Sequence, residues 1–232
     1  MNKPFLFISI LFTLLLPTSC KKKEIDPVEP IQQFVSDFDG NKYTVIRIGK
    51  QYWTKENIRT TQYADGSVIP NIYNNDEWES LTTDAWCYYD NNSANDSKYG
   101  KLYNWYVVTD PRNICPCGWH VPSDAEWKTL TDFLGGESVA GGKMKTSSNW
   151  FDFDGQSSTN GTNESGFSGL PGGFRGDVFA DFHGSGSVGT WWSTTESATT
   201  HAWYRMLFYE YGTIDNFYIP KKAGVSVRCI KD

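Results

Sequence analysis

One stretch of this chain carries every local signal of a helix, and its isolation limits what the remainder can become. In Pro122-Ser123-Asp124-Ala125-Glu126-Trp127 a hydroxyl stands at the N-cap and a carboxylate three residues on, the reciprocal S-x-x-E capping box. Trp127 falls at N4, where it can pack back as a staple. Trp127, Leu130, Phe133 and Leu134 follow as an apolar set at helical spacing, and Gly135-Gly136 closes the run. Elsewhere, short aromatic segments are separated by Gly, Asn, Asp and Ser. With 10 Trp, 13 Tyr, 14 Phe and 21 Gly in 232 residues, the composition is that of short strands joined by long, ordered loops. The expected class is α+β, with short antiparallel strands and one or two helices.

Tyr43 to Ile48 alternates apolar and polar residues after Asp39-Gly40, and a turn at Gly49-Lys50-Gln51 leads into Tyr52-Trp53, so a hairpin is expected there. Asp37-Phe38-Asp39-Gly40 looks like part of a calcium loop. It lacks the further oxygen ligands and closing Glu of an EF-type site, so it is read as a turn, as is Asp152-Phe153-Asp154-Gly155. Tyr99 to Tyr106 is too apolar for a solvated surface and reads as a buried strand or short helix. The chain closes on the β-branched alternation Val225 to Ile230.

The N-terminus belongs to another physical regime. Lys3 precedes the apolar run Pro4 to Leu16, too short to span a bilayer comfortably and of the length of a signal-peptide core. Leu16-Pro17-Thr18-Ser19-Cys20 resembles a bacterial lipobox, which makes Cys20 the expected lipidation site and residues 1–20 the signal peptide. Residues 21–36, with three lysines and two prolines, read as a flexible tether, and 37–232 as the domain. Acyl chains on Cys20 would give the protein a membrane as partner, at the outer membrane or cell surface.

Four cysteines remain in the domain: Cys87, Cys115, Cys117 and Cys229. An even count in an exported protein points to disulfides, with three possible connectivities, and Cys115 and Cys117 are too close to bond each other without strain. Zinc is disfavoured, because Cys-Pro-Cys lacks a second ligand pair and His120, His183 and His201 are scattered. No metal ligands are assigned. A net charge of −6 gives no footprint for nucleic acid.

Nine blocks in order resemble the domain family named after the major paralogous proteins of Fibrobacter succinogenes. They are IGKQYWTKEN (48–57), WCYYDN (86–91), YGKLYNWYVV (99–108), CPCGWHVPSDAEW (115–127), GGKMK (141–145), GFSGLPGGFR (166–175), WWSTTE (191–196), AWYR (202–205) and GVSVRCIKD (224–232). Cys117 stands where the family commonly has Ser, Thr or Asp. The resemblance implies a C-type-lectin-like fold shared with formylglycine-generating enzymes, whose helix start and terminal strand VPSDAEW and VRCIKD echo. Those enzymes use a reactive cysteine pair and copper before the last strand. Tyr204 to Lys222 holds no cysteine, so that activity and its cofactor are not expected. The superfamily often binds calcium through loop oxygens, which leaves calcium open without named ligands.

No G-x-S-x-G elbow, H-E-x-x-H helix or phosphate loop is present. Asp76 and Glu77, Asp177 and Asp181, and Glu196 are carboxylates whose spacing in space, not in sequence, decides a glycosidase role. The aromatics point instead to a binding or adhesion module, with an enzyme of unknown reaction on the same fold and a structural envelope protein as the alternatives, and with core packing as the competing role for each ring. Trp191, Trp192, Trp203 and Tyr204 sit on strand-like segments beside Gly- and Ser-rich loops, and flat rings with a polar handle suit a glycan or a surface protein. Strand alternation predicts that one of Trp191 and Trp192 faces outward.

Overall fold

The computed structural model describes residues 33–151 and 161–232. The signal peptide, Cys20 and most of the tether lie outside the described residues, as does the turn expected at Asp152 to Gly155. No helix among the described residues is long and apolar enough to cross a membrane.

The fold is mixed α+β, with mostly antiparallel strands. β1 (Phe34–Ser36) is drawn from the stretch read as tether and pairs with β2 (Lys42–Ile48) across the Asp37–Asn41 turn. Asp37 uses its carboxylate on the backbone and side chain of Asn41 and on the Tyr43 hydroxyl, and Asp39 holds Thr61 and Gln62, as a turn requires. β2 forms the expected hairpin with β3 (Gln51–Thr54), turning at Gly49 with φ +62°. The segment Tyr99 to Tyr106 resolves into both alternatives: β5 (Leu102–Tyr103), paired with β4 (Trp86–Cys87), and then one helical turn at Trp105–Val108.

β6 (Trp119–His120) leads into the long helix, Asp124–Phe133, where both arms of the capping box form. Its buried face is Trp127, Leu130, Thr131 and Leu134, while Phe133 is 64% exposed. The reason is angular: at 100° per residue Thr131 lies 40° from Trp127, and Phe133 lies on the far side. Phe133 instead covers the hairpin turn, where a Cβ at Gly49 would meet its ring at 2.9 Å. A second helix, Glu137–Met144, was hidden by its own glycines. Gly141 is required there, because a Cβ would stand 1.9 Å from the Thr213 carbonyl oxygen. Three shorter helices (Asn75–Glu79, Asp96–Tyr99 and Trp105–Val108) bring the described α-helices to five, above the one or two expected.

The C-terminal half supplies a ribbon, β7 (Gly172–Arg175) with β8 (Phe182–Ser185), and a three-stranded sheet. That sheet consists of β9 (Val188–Ala198), β10 (His201–Phe208) and β11 (Asp215–Pro220), in the order β11-β10-β9. The last strand, β12 (Ile230–Lys231), does not sit at an edge. It pairs with β3 on one side and β6 on the other, completing the five-stranded order β1-β2-β3-β12-β6.

β9 divides the core. Trp192 belongs to a cluster with Tyr43, Tyr103, Trp86, Cys115 and Cys229, and Trp191 to one with Trp53, Trp127, Phe167 and Leu207. In the second cluster Trp53 and Trp127 approach to 4.8 Å and Phe167 meets Trp191 edge-on at 5.4 Å. Contacts of this kind add about 0.5–1.5 kcal/mol each beyond the area they bury.

Candidate functional site

Both Trp191 and Trp192 are fully buried, which corrects the expectation that one faces solvent and removes both from any binding face. Alternation yields an inside and an outside only when one face of a strand is wet. Here each face of β9 meets a different apolar cluster. Each indole N–H is also committed, Trp191 to the Asn57 side-chain oxygen at 2.8 Å and Trp192 to the Tyr103 carbonyl at 2.7 Å.

Trp203 and Tyr204 point to opposite faces of β10. Tyr204 packs inward against the Trp192 cluster, near Phe217. Trp203 is partly exposed and stands opposite Tyr218 in the β10–β11 register, with ring centroids 5.6 Å apart and planes perpendicular. His201 meets Tyr218 at 5.8 Å. The same face carries Arg205, which is buried opposite Trp191 in the β10–β9 register and bonds Asp124, in the first turn of the long helix, at 2.7 Å. Trp203, Tyr218 and His201 lie farther toward the start of β10, where the strand pair becomes accessible to solvent. Tyr218 is 63% exposed, and the Trp203 Nε1 donates to no described residue. Thr200, whose hydroxyl lies 2.8 Å from His201 Nδ1, and Glu196, paired with Lys221, put polar groups at the rim. Tyr218 and His201 were not singled out from sequence. The alternation in Asn216-Phe-Tyr-Ile-Pro was the available signal, but pairing with β10 was needed to place Tyr218 beside Trp203.

Cys115 and Cys229 form a disulfide across 114 residues of chain, joining the approach to β6 with the approach to β12. Cys117 is not a free thiol. Cys87 is free and fully buried, which corrects its place among the disulfide candidates. Burial pushes its thiol up to about 12, and the nearby Arg175 charge only partly opposes this. Such a thiol is a small apolar packing group, not a nucleophile.

The remaining carboxylates of interest lie on three separate segments, Asp177 and Asp181 both in the connection from β7 to β8. Asp76 and Glu77 lie exposed in the first turn of the helix Asn75–Glu79, Glu196 faces Lys221, and Asp181 is exposed just before β8. His120 is held on both ring nitrogens, Nδ1 by Asp232 at 2.6 Å and Nε2 by Glu126 at 2.8 Å. This clamp ties the start of the long helix to the chain beyond β12.

Two buried arginines organise the loops. Arg175 donates to the carbonyls of Ala180, Ile72 and Tyr73 and to the Asn75 side chain, between the rings of Trp78 and Phe182. Arg228 donates to Asn57, to Thr54 and to the Phe167 and Ser168 carbonyls, over the Phe167 ring. Neither has a carboxylate partner among the described residues. The planar fork of Arg reaches several carbonyls from one position, which an ammonium does less well.

No curated protein and no solved structure matches the chain. Residues 46–231, from the middle of β2 to the end of β12, match the Fibrobacter succinogenes major domain, and the chain belongs to that family.

Proposed function

We propose that the chain is a lipoprotein, anchored through Cys20 at the outer membrane or cell surface, whose domain is a non-catalytic binding module for a glycan. The single observation that carries the binding reading is the uncovered Trp203–Tyr218–His201 face, with an unpaired indole N–H and polar rim groups. Sugar rings stack their apolar faces on such aromatics while their hydroxyls reach adjacent donors and acceptors. β11 is also the free edge of its sheet, which supports a protein ligand adding a strand as the second reading. We read the fold as C-type-lectin-like. In support, the two segments that echo that superfamily are neighbours, since β6 before VPSDAEW pairs with β12 in VRCIKD.

The test is a glycan array probed with the protein and with W203A/Y218A. Binding to at least one glycan that the double variant loses by tenfold or more is the expected result. Binding that is undiminished in the variant, or no binding to any glycan, overturns it. Metabolic labelling with a fatty acid, with and without Cys20→Ala, tests the anchor separately.

A further inference from the structure

Away from the aromatic face, the segment after β3 crosses the helix Asp96–Tyr99 and the 166–170 loop, and a cavity of about 330 Å³ opens between them. That volume lies at the lower end of small-molecule sites. Its walls are fixed. Asn57 Nδ2 donates to the Tyr99 carbonyl at 2.8 Å, and the Lys101 N–H to the Ile58 carbonyl at 3.2 Å. Gly100, with φ +72°, brings the two segments so close that a Cβ would meet the Ile58 carbonyl oxygen at 2.8 Å.

The lining is unusually cationic for a protein of net charge −6. Lys42, Lys55, Arg59, Lys98 and Arg228 all contribute to it. Lys42, Lys55, Arg59 and Lys98 make no ion pair with any described residue, and the side chains of Lys42, Lys55 and Arg59 donate no hydrogen bond to one. Arg228 is 1% exposed, and burial works against its charge, which Glu56 only partly offsets. Two carboxylates share the lining and are outnumbered by these groups. Glu56 accepts from the Thr44 N–H and hydroxyl, at 2.7 and 3.0 Å, and keeps its charge, whereas the charge of Asp96 is met by Lys101 at 2.8 Å, so five lining cations face one carboxylate without a cationic partner of its own. A concavity whose charges are mostly of one sign focuses the field on whatever enters.

We propose that this cavity binds a small organic anion, a sugar-sized molecule bearing a sulfate, phosphate or carboxylate group. Lys55 and Arg59, half-buried and without partners, reach the anion, and Lys42 and Lys98 at the exposed rim draw it in. The cavity is larger than a bare inorganic anion needs, so the anion arrives attached to a body that fills the rest. The site is independent of the aromatic face, and either reading can fail alone.

Calorimetric titration of the full chain separates the possibilities. The ligands are glucose 6-phosphate, N-acetylglucosamine 6-sulfate, glucuronate, inorganic phosphate, inorganic sulfate and glucose, all at matched ionic strength. At least one sugar-borne anion should bind tenfold or more tightly than glucose and than the inorganic ions, which also identifies the preferred group. K55Q/R59Q, which removes no bond of the fold, should weaken that binding at least tenfold, equivalent to about 1.4 kcal/mol. W203A/Y218A should leave it unchanged. Charge-reversed K42E/K98E, if folded, should weaken it further at low salt than at high salt. Equal binding of glucose and the anions, undiminished binding by K55Q/R59Q, or no binding of any anion overturns the proposal.

Discussion

Removing the Cys115–Cys229 disulfide, by the double substitution C115A/C229A, is the perturbation whose size can be worked most directly. The bond closes a loop of 114 residues. In the chain-entropy treatment a loop of that length withdraws about 16 cal/mol/K from the denatured ensemble, or about 5 kcal/mol at 25 °C. Both half-cystines are buried in the Trp192 cluster, and the backbone N–H of Cys229, which donates to Thr54 Oγ1 at 3.0 Å, keeps its partner in the variant. The entropic part of the loss falls on the unfolded state, and the two deleted sulfur atoms add a packing cost in the native core. Equilibrium urea denaturation should show the midpoint falling by about 2 M, and the slope rising because the unlinked chain exposes more surface. In a thermal scan the same loss amounts to about 10–20 °C for a domain of this size. A variant less than about 1 kcal/mol less stable, with an unchanged slope, would refute the reasoning. It would mean that the denatured chain keeps these ends together without the bond.

Gly141→Ala and Gly142→Ala, adjacent in one helix, should act in opposite directions. The first drives a Cβ to 1.9 Å from the Thr213 carbonyl and should cost about 3 kcal/mol or more, whereas the second meets nothing nearer than 3.8 Å and should gain about 0.5–1 kcal/mol, both read by urea denaturation. For the His120 clamp, burial opposes the imidazolium, but Asp232 and Glu126 outweigh it and raise its pKa above 6.5. Its contribution is full below about 6.5 and is lost as the pH rises through the raised value. Glu126 also resists burial, through Ser123 and His120, and is lowered below 4.5, so its share is lost as the pH falls through that lowered value. The clamp should stabilise most between about pH 4.5 and 6.5. At its exposure it should contribute under about 1 kcal/mol, and His120→Gln should flatten that part of the stability-versus-pH curve. Cys87 should resist a thiol reagent at pH 8 in the native protein and react promptly in denaturant, as followed by mass spectrometry.

What the sequence disclosed depended on how local each signal was. The long helix was legible because the Ser123–Glu126 box and Gly135-Gly136 act within a few residues, and the β2–β3 hairpin because its turn and alternation are contiguous. The helix over Gly141-Gly142 was not, since glycine reads as a breaker unless one knows that Thr213 lies against it. Trp191-Trp192 misled for a related reason: no local pattern says that both faces of β9 are dry. Trp203 could be picked out as an aromatic on a strand-like segment, yet its companion Tyr218 is fixed by register alone. The cationic cavity draws Lys55, Lys98 and Arg228 from three distant segments, so no spacing could have announced it. Cys87, finally, is chemically identical in sequence to its bonded counterparts, and only placement separates it from them.

The placement of β12 between β3 and β6 has a consequence for how the molecule comes into being. A ribosome delivers residues 34–54 first and 223–231 nearly two hundred residues later, yet these segments are neighbours in one sheet. Until residue 231 has emerged, β6 lacks the strand it pairs with among the described residues, Cys115 lacks Cys229, and the Asn57 and Phe167 oxygens await Arg228. Nascent chains of this domain should therefore stay protease-sensitive through nearly their whole synthesis and then become resistant in one late step, with no stable half-built stage between.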